Sequence, residues 1–200
     1  VTRFADAHRE VALTSGESAT MRGYPPSTAQ MIMDLCERAG PGADGAGDIS
    51  AIFSVLVAGS DMEETVADIL RGVLDGHIVL DREIAERGRF PAIDVLRSVS
   101  RSLPAAASTE ENELLAEGRR LLSTFDQARL MVQSGLYAPG ADPDLDRAVT
   151  LNDAFERFLS RVETGGVETS YNRLRTILAP PPENDPRTKD GPESHMADRS

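Results

Sequence analysis

The sequence predicts an α/β fold, a parallel sheet with crossover helices, followed by an all-α region. Three observations carry this expectation. Ile49 to Val57 alternates and then runs apolar with Ile, Phe and Val, the pattern of a strand covered on both faces. A helix-spaced segment, a second apolar run at His77 to Leu80 and another short helix follow within about 40 residues, the spacing of right-handed crossover units on a parallel sheet. After Pro104 every patterned segment repeats at helical spacing.

Taken in order, Thr2 to Thr14 carries Phe4, Ala7, His8, Val11 and Ala12 at helical spacing and stops before Ser15-Gly16. A loop through Arg22-Gly23-Tyr24-Pro25-Pro26 follows. Ser27 with Gln30 three residues on is a capping-box pattern, opening a helix through Met31, Leu35 and Ala39 that Gly40 closes. Gly40 to Gly47 reads as a surface loop. Beyond the strand at 49–57, Asp61 with Glu64 caps a helix whose Met62, Val66, Ile69, Leu70, Val73 and Leu74 share one face, and Gly76 ends it. His77 to Leu80 is the second strand, and Asp81 to Arg87 a short helix before Gly88. Ser108 with Glu111 is another capping box, ahead of a long helix with Leu114, Leu121, Leu122, Phe125 and Ala128 that breaks near Gly135. Pro143 to Arg161 and Val167 to Leu178 complete a small helical bundle. From Pro180 onward, five Pro and eight charged residues with almost nothing apolar cannot offset the entropy of ordering, so this tail is expected to be disordered. These breaks divide the chain into 1–104, 105–179 and 180–200.

Charge and composition exclude several classes of function. Lys+Arg 21 against Asp+Glu 33 gives 21 − 33 = −12 over 200 residues, a poor balance for gripping a phosphate backbone, so no nucleic-acid partner is expected. With 40% apolar residues, 4% aromatics and no Trp, the core must be aliphatic. One Cys excludes a disulfide framework, and no apolar run approaches the roughly 20 residues of a membrane helix, so the chain reads as soluble and cytosolic. The basic residues are almost all Arg; the single Lys is Lys189, so no G-x-x-x-x-G-K-[ST] phosphate loop exists here. Val1 opens a helical pattern without an initiator Met, and the expectation is that part of a longer protein precedes it.

Isolated polar constellations carry little chemistry by themselves. His8, His77, His195 and Cys36 have no metal-ligand spacing, and Cys36 beside Leu35 reads as a small core residue. No Gly-x-Ser-x-Gly elbow is present. The carboxylates Asp61, Glu63 and Glu64, and again Glu110, Glu111 and Glu113, stand at helix starts, where the macrodipole favours them. On composition alone the arginines of Arg97-Ser98-Val99-Ser100-Arg101 are surface charges.

Collinear motifs change that reading. Gly59-Ser60-Asp61-Met62-Glu63-Glu64, Ala67-Asp68, Leu74-Asp75-Gly76-His77-Ile78-Val79-Leu80, Ala85-Glu86-Arg87-Gly88-Arg89-Phe90-Pro91-Ala92-Ile93-Asp94-Val95-Leu96 and Ser98-Val99-Ser100-Arg101 together resemble the second half of the ATPase domain of the type III export ATPases. Val1-Thr2-Arg3-Phe4-Ala5 is similar to the residues after that family's Walker B aspartate, and Arg22-Gly23-Tyr24-Pro25-Pro26-Ser27 to its next loop. Gly135-Leu136-Tyr137 and Gly140-Ala141-Asp142-Pro143 continue the likeness, which spans Val1 to Leu178.

The resemblance implies the second half of a RecA-like P-loop NTPase domain followed by a helical C-terminal domain. It implies ATP hydrolysis with Mg²⁺ at the subunit interfaces of a homo-hexamer. Export-apparatus regulator and stalk proteins, a membrane export gate and exported flagellar proteins are the implied partners, and the cytoplasmic side of the inner membrane the implied location. Arg101 matches the arginine finger that enters the neighbouring subunit's site, where a planar guanidinium suits the charge spread over a transferring phosphoryl group. Phe90 matches the aromatic that stacks on adenine. Tyr137 matches a second adenine-pocket aromatic, and it also reads as a partly buried bundle tyrosine. The phosphate-loop Lys, catalytic Glu and Walker B Asp would all precede Val1, so these 200 residues alone are not expected to hydrolyse ATP. Thr65 stands where many relatives have Pro, the Gly40 to Gly47 loop is longer than usual, and the tail lies outside the pattern. A virulence (injectisome) secretion ATPase, a non-catalytic rotary-ATPase subunit and a RecA-like interaction module remain as alternatives.

Overall fold

The computed structural model describes residues 1–59 and 62–180. It divides into two compact units, Val1–Ser108 and a second that starts at Thr109. Of the tail expected to be disordered, 180–200, residues 181–200 lie outside the described residues, as does the expected cap at Asp61.

In the first unit, α1 (Thr2–Thr14), α2 (Pro26–Cys36) and α3 (Thr65–Val73) enclose an aliphatic core. Ala5, Tyr24, Ile32, Cys36, Val66 and Leu70 are buried there, with Phe53, Val55, Ile69 and Leu74 packed against them. Burial pushes the Cys36 thiol pKa up, consistent with an inert small core residue. The helix at α2 starts where the sequence predicts but not for the predicted reason. Ser27 is not its cap: Pro25 occupies the N-cap, and Glu17 takes Ser27, accepting from its amide at 3.1 Å and from Oγ at 2.6 Å. Gln30 donates instead to Asp34 at 2.6 Å. A carboxylate makes a stronger charge-assisted bond to an orphan helix amide than a neutral side chain does, and the same bonds hold Glu17 below the usual carboxylate range.

Residues 51–57 keep the alternation but form no ladder, a correction to the predicted strand. Phe53 and Val55 turn to the core, whereas Ile52 is 99% exposed and Leu56 is exposed as well, so one face is covered and not two. The backbone is tied to the start of α1: the Val1 amino group donates to the Ser54 carbonyl, and Leu56 N–H donates to Thr2 Oγ1 at 2.9 Å.

The first unit is α/β as the sequence predicts, but its described sheet is not the parallel one expected. Its two described strands, β1 (Gly76–Leu80) and β2 (Ile93–Ser100), pair antiparallel. Residues 81–92 join them, turning through α4 (Arg82–Glu86) and returning Ile93 beside Leu80. Asp81 caps α4, its Oδ1 accepting from Glu83 and Ile84 N–H at 2.8 and 3.3 Å.

The second unit is the expected bundle: α5 (Thr109–Gln133), α6 (Pro143–Leu159) and α7 (Gly166–Leu178) pack pairwise around Leu121, Ala148, Phe155, Leu174 and Leu178. Asp142 caps α6 with Pro143 in its first turn. Glu117 of α5 binds Arg147 of α6, which donates on to the Leu178 carbonyl at the end of α7, so one chain of polar contacts joins all three helices. Among the described residues no helix is long and apolar enough to cross a membrane.

Candidate functional site

The β1–β2 hairpin determines where two of the three candidate residues stand. Gly76 pairs with Ser100, His77 with Val99, Val79 with Asp94 and Leu80 with Ile93. Ser100 and Ile93 are therefore at opposite ends of β1, so Arg101, just past β2, and Phe90, just before it, occupy opposite ends of the hairpin. Gly76 has no room for a side chain, because a Cβ there would come within 2.5 Å of the Val99 carbonyl oxygen. This close approach keeps the end of the hairpin nearest Arg101 tight.

Arg101 N–H donates to the Asp75 carbonyl at 2.7 Å. Its guanidinium folds over the C-terminus of α3 and donates to the Arg71 carbonyl at 2.9 Å, with a weaker contact to Gly72 at 3.5 Å. Those carbonyls are orphaned by the helix end, and the negative pole of the dipole attracts a cation. Among the described residues Arg101 has no carboxylate partner, and it is solvent-exposed. A charged, exposed guanidinium held only by backbone oxygens can be drawn away by a stronger anion.

Phe90 presents its ring to solvent at 62% exposure. Exposure of a large aromatic leaves a face free for stacking. Tyr137 belongs to the other unit, in the turn between α5 and α6, where it is half-buried. Its hydroxyl donates to Asp146 Oδ1, and Asp146 Oδ2 accepts from Gly140 N–H at 2.8 Å. That hydrogen bond to Asp146 raises the Tyr137 pKa, with desolvation adding to it.

An open cavity of about 230 Å³ lies beside the hairpin, lined by Met62, Arg71, His77, Val79 and Arg97. Arg97 lies beside Asp81 (3.3 Å) and Asp94 (4.0 Å), so its charge is already balanced by carboxylates. Among the described residues no group of three His, Cys, Asp or Glu could hold a metal ion. Sequence reasoning passed over Asp94, Ser98, Arg71 and Asp146, which shape the surroundings of Arg101 and Tyr137. Only the presence of Asp94 and Ser98 at a four-residue spacing in the segment 93–100 offered a signal for the first pair.

Residues 1–100 match the ATP synthase alpha/beta family, nucleotide-binding domain, and residues 107–175 match the type III secretion EscN ATPase C-terminal domain. Phe90 falls in the first range and Tyr137 in the second, while Arg101 lies between them. The chain is 46% identical over 185 residues to the flagellum-specific ATP synthase of Caulobacter vibrioides, covering 89% of this chain and 42% of that protein. It is 43% identical over 180 residues to the SPI-2 type 3 secretion system ATPase of Salmonella typhimurium, covering 89% and 41%. Among solved structures, the assembled ATPase EscN of enteropathogenic E. coli superposes with a TM-score of 0.82 at 35% identity, covering 88% of this chain and 43% of that one. EscN in complex with its central stalk EscO gives 0.77 at 36% identity, covering 90% and 42%. The chain thus spans about two fifths of the length of the relatives it matches.

Proposed function

The chain belongs to the ATP synthase alpha/beta family through its nucleotide-binding domain, and from that premise we propose that it is the C-terminal part of the flagellar type III protein export ATPase. In this reading protomers form a hexameric ring, hydrolyse ATP at their interfaces and drive the export of flagellar proteins. The observation that carries it is the order of the two matched ranges: a nucleotide-binding domain over 1–100 leads directly into a secretion-ATPase C-terminal domain over 107–175. A rotary ATP synthase subunit explains the first range and not the second.

The substrate is ATP with Mg²⁺. Phe90 stacks on the adenine, Tyr137 makes a second nucleotide contact, and Arg101 leaves the end of α3 to meet the γ-phosphate bound by a neighbouring protomer. As water displaces the leaving diphosphate, charge builds on the equatorial oxygens, and the guanidinium stabilises it by about 10³ to 10⁵ in rate. The exposure of Phe90 and the lack of a carboxylate on Arg101 among the described residues fit these tasks. Because the single Lys is Lys189, the phosphate loop comes from residues other than these 200. A stalk protein and export regulators bind the ring, which works on the cytoplasmic face of the inner membrane export gate.

The virulence-secretion reading is favoured by the SPI-2 relative, whose 43% identity stands close to the 46% of the flagellar one. Chimeras separate the two. This chain, replacing the matching part of the Caulobacter flagellum-specific ATP synthase, should restore swimming to cells without that ATPase. The equivalent SPI-2 chimera should restore secretion poorly. The reverse outcome selects the virulence reading, and two folded chimeras without ATPase turnover would reject both.

A further inference from the structure

We propose that Asp94 and Ser98 are positioning residues for Arg101: they fold a bulge into β2 that determines where the guanidinium stands. The inference rests on the reading of Arg101 given above and deepens it.

The register carries the argument. Between His77 and Val79, β1 has one residue, Ile78; between their partners Val99 and Asp94, β2 has four, Val95 to Ser98. Three extra residues are therefore taken up in β2. Were they laid out as ladder, Arg101 would move along the sheet by about 10 Å at roughly 3.3 Å per residue. It would then lose both the Asp75 carbonyl and the end of α3.

Two side chains hold those residues in place. Asp94 Oδ1 accepts from Leu96 and Arg97 N–H, both at 3.0 Å, closing a tight turn on itself. Ser98 Oγ donates to the Asp94 carbonyl at 2.5 Å and accepts from Val79 N–H at 3.0 Å, so it fills the ladder position that the bulge vacates on β1. Pairing resumes at Val99 and Ser100, one residue before Arg101. Bulges of this kind re-aim a side chain at the end of a strand, and a catalytic group displaced by about 1 Å can lose on the order of 10² in rate. Neither residue touches nucleotide in this scheme; both act through Arg101.

The test uses the full-length protein assembled as a ring, with ATP turnover as the readout. Asp94→Ala and Ser98→Ala should each lower kcat by roughly tenfold or more and leave KM for ATP within about twofold, because binding is made elsewhere. Asp94→Asn keeps an acceptor at Oδ1 and should recover most of the rate. Adding Asp94→Ala to an Arg101→Ala protein should cost nothing further, since the group it positions is gone. Should Asp94→Ala fail to fold, Ser98→Ala decides. Unchanged kcat in Ser98→Ala or in folded Asp94→Ala, or a further loss in the double variant, overturns the positioning role while leaving Arg101 intact. Retention of more than about a tenth of turnover in Arg101→Ala overturns the underlying reading instead.

Discussion

The Arg101 guanidinium donates to the carbonyl oxygen of Arg71 at 2.9 Å, so the residue at the end of β2 closes the end of α3. The bond is exposed and made to a neutral oxygen, which limits it to about 1 kcal/mol. Arg101→Ala is therefore expected to leave the isolated chain folded, with a melting temperature lower by only a few degrees. In the assembled full-length protein the same change should reduce ATP turnover below about a tenth, and Arg101→Lys should not restore it, because an ammonium lacks the planar fork. A protein that melts far earlier, or a Lys variant with full turnover, contradicts this.

Tyr137 and Asp146 give a prediction in alkaline solution. The hydrogen bond to Asp146 raises the phenol pKa, so its stabilising effect is complete below the ordinary tyrosine value and is lost as pH rises through the raised one. Asp146→Ala should move one phenol of the three tyrosines to lower pH in an absorbance titration. Superposable curves for the two proteins would show that the bond is absent in solution.

Helical periodicity and terminal residues carried most of the helices: α1 ends at Thr14 before Ser15-Gly16, and α6 begins at Asp142-Pro143. Contacts distant in sequence were not legible. Ser27 has the spacing of a capping box, yet Glu17, ten residues upstream, outcompetes Gln30 for it. Residues 51–57 alternate as a strand does, but alternation reports which side chains turn inward and says nothing about which backbone pairs with them. The bulge in β2 was not legible either, because Asp94 and Ser98 bind backbone groups that only the folded chain brings to them, the Val79 N–H among them. Motif order pointed to Phe90, Arg101 and Tyr137. The contacts of Asp94, Ser98 and Asp146 arise only once the chain has folded.

Acid should weaken the bundle through Glu117. Its bond to Arg120, together with the charges of Arg120 and Arg147, holds its carboxyl below the usual range. A depressed pKa gives stability that is present above the ordinary value near 4.5 and is lost as pH falls through the lowered one. The side chain is partly exposed, so solvent screening keeps the effect to about 1 kcal/mol or less. Glu117→Gln should melt earlier at pH 7 and converge with the parent near pH 3. A constant difference across that range would mean that the ion pairs contribute nothing.

Gly118 offers the clearest stability test, because two opposed effects can be ranked from distances. It is buried in the middle of α5, facing α6 and α7. A glycine there costs the helix roughly 0.5 to 1 kcal/mol relative to alanine through backbone entropy. An added Cβ would lie 3.5 Å from Leu174 Cδ1 and 3.7 Å from Phe155 Cε1, ordinary contact distances, so one methyl fits without moving either side chain. Propensity and new contact then act in the same direction, and Gly118→Ala should raise the melting temperature by a few degrees. A larger residue reverses the sign. The γ-carbons of Gly118→Val have nowhere to go except into Leu174 or Phe155, both core residues, and overpacking of that kind costs about 1 to 3 kcal/mol. Thermal unfolding of the two variants checks both signs at once; an alanine that destabilises would mean the helices already touch more closely than these distances allow.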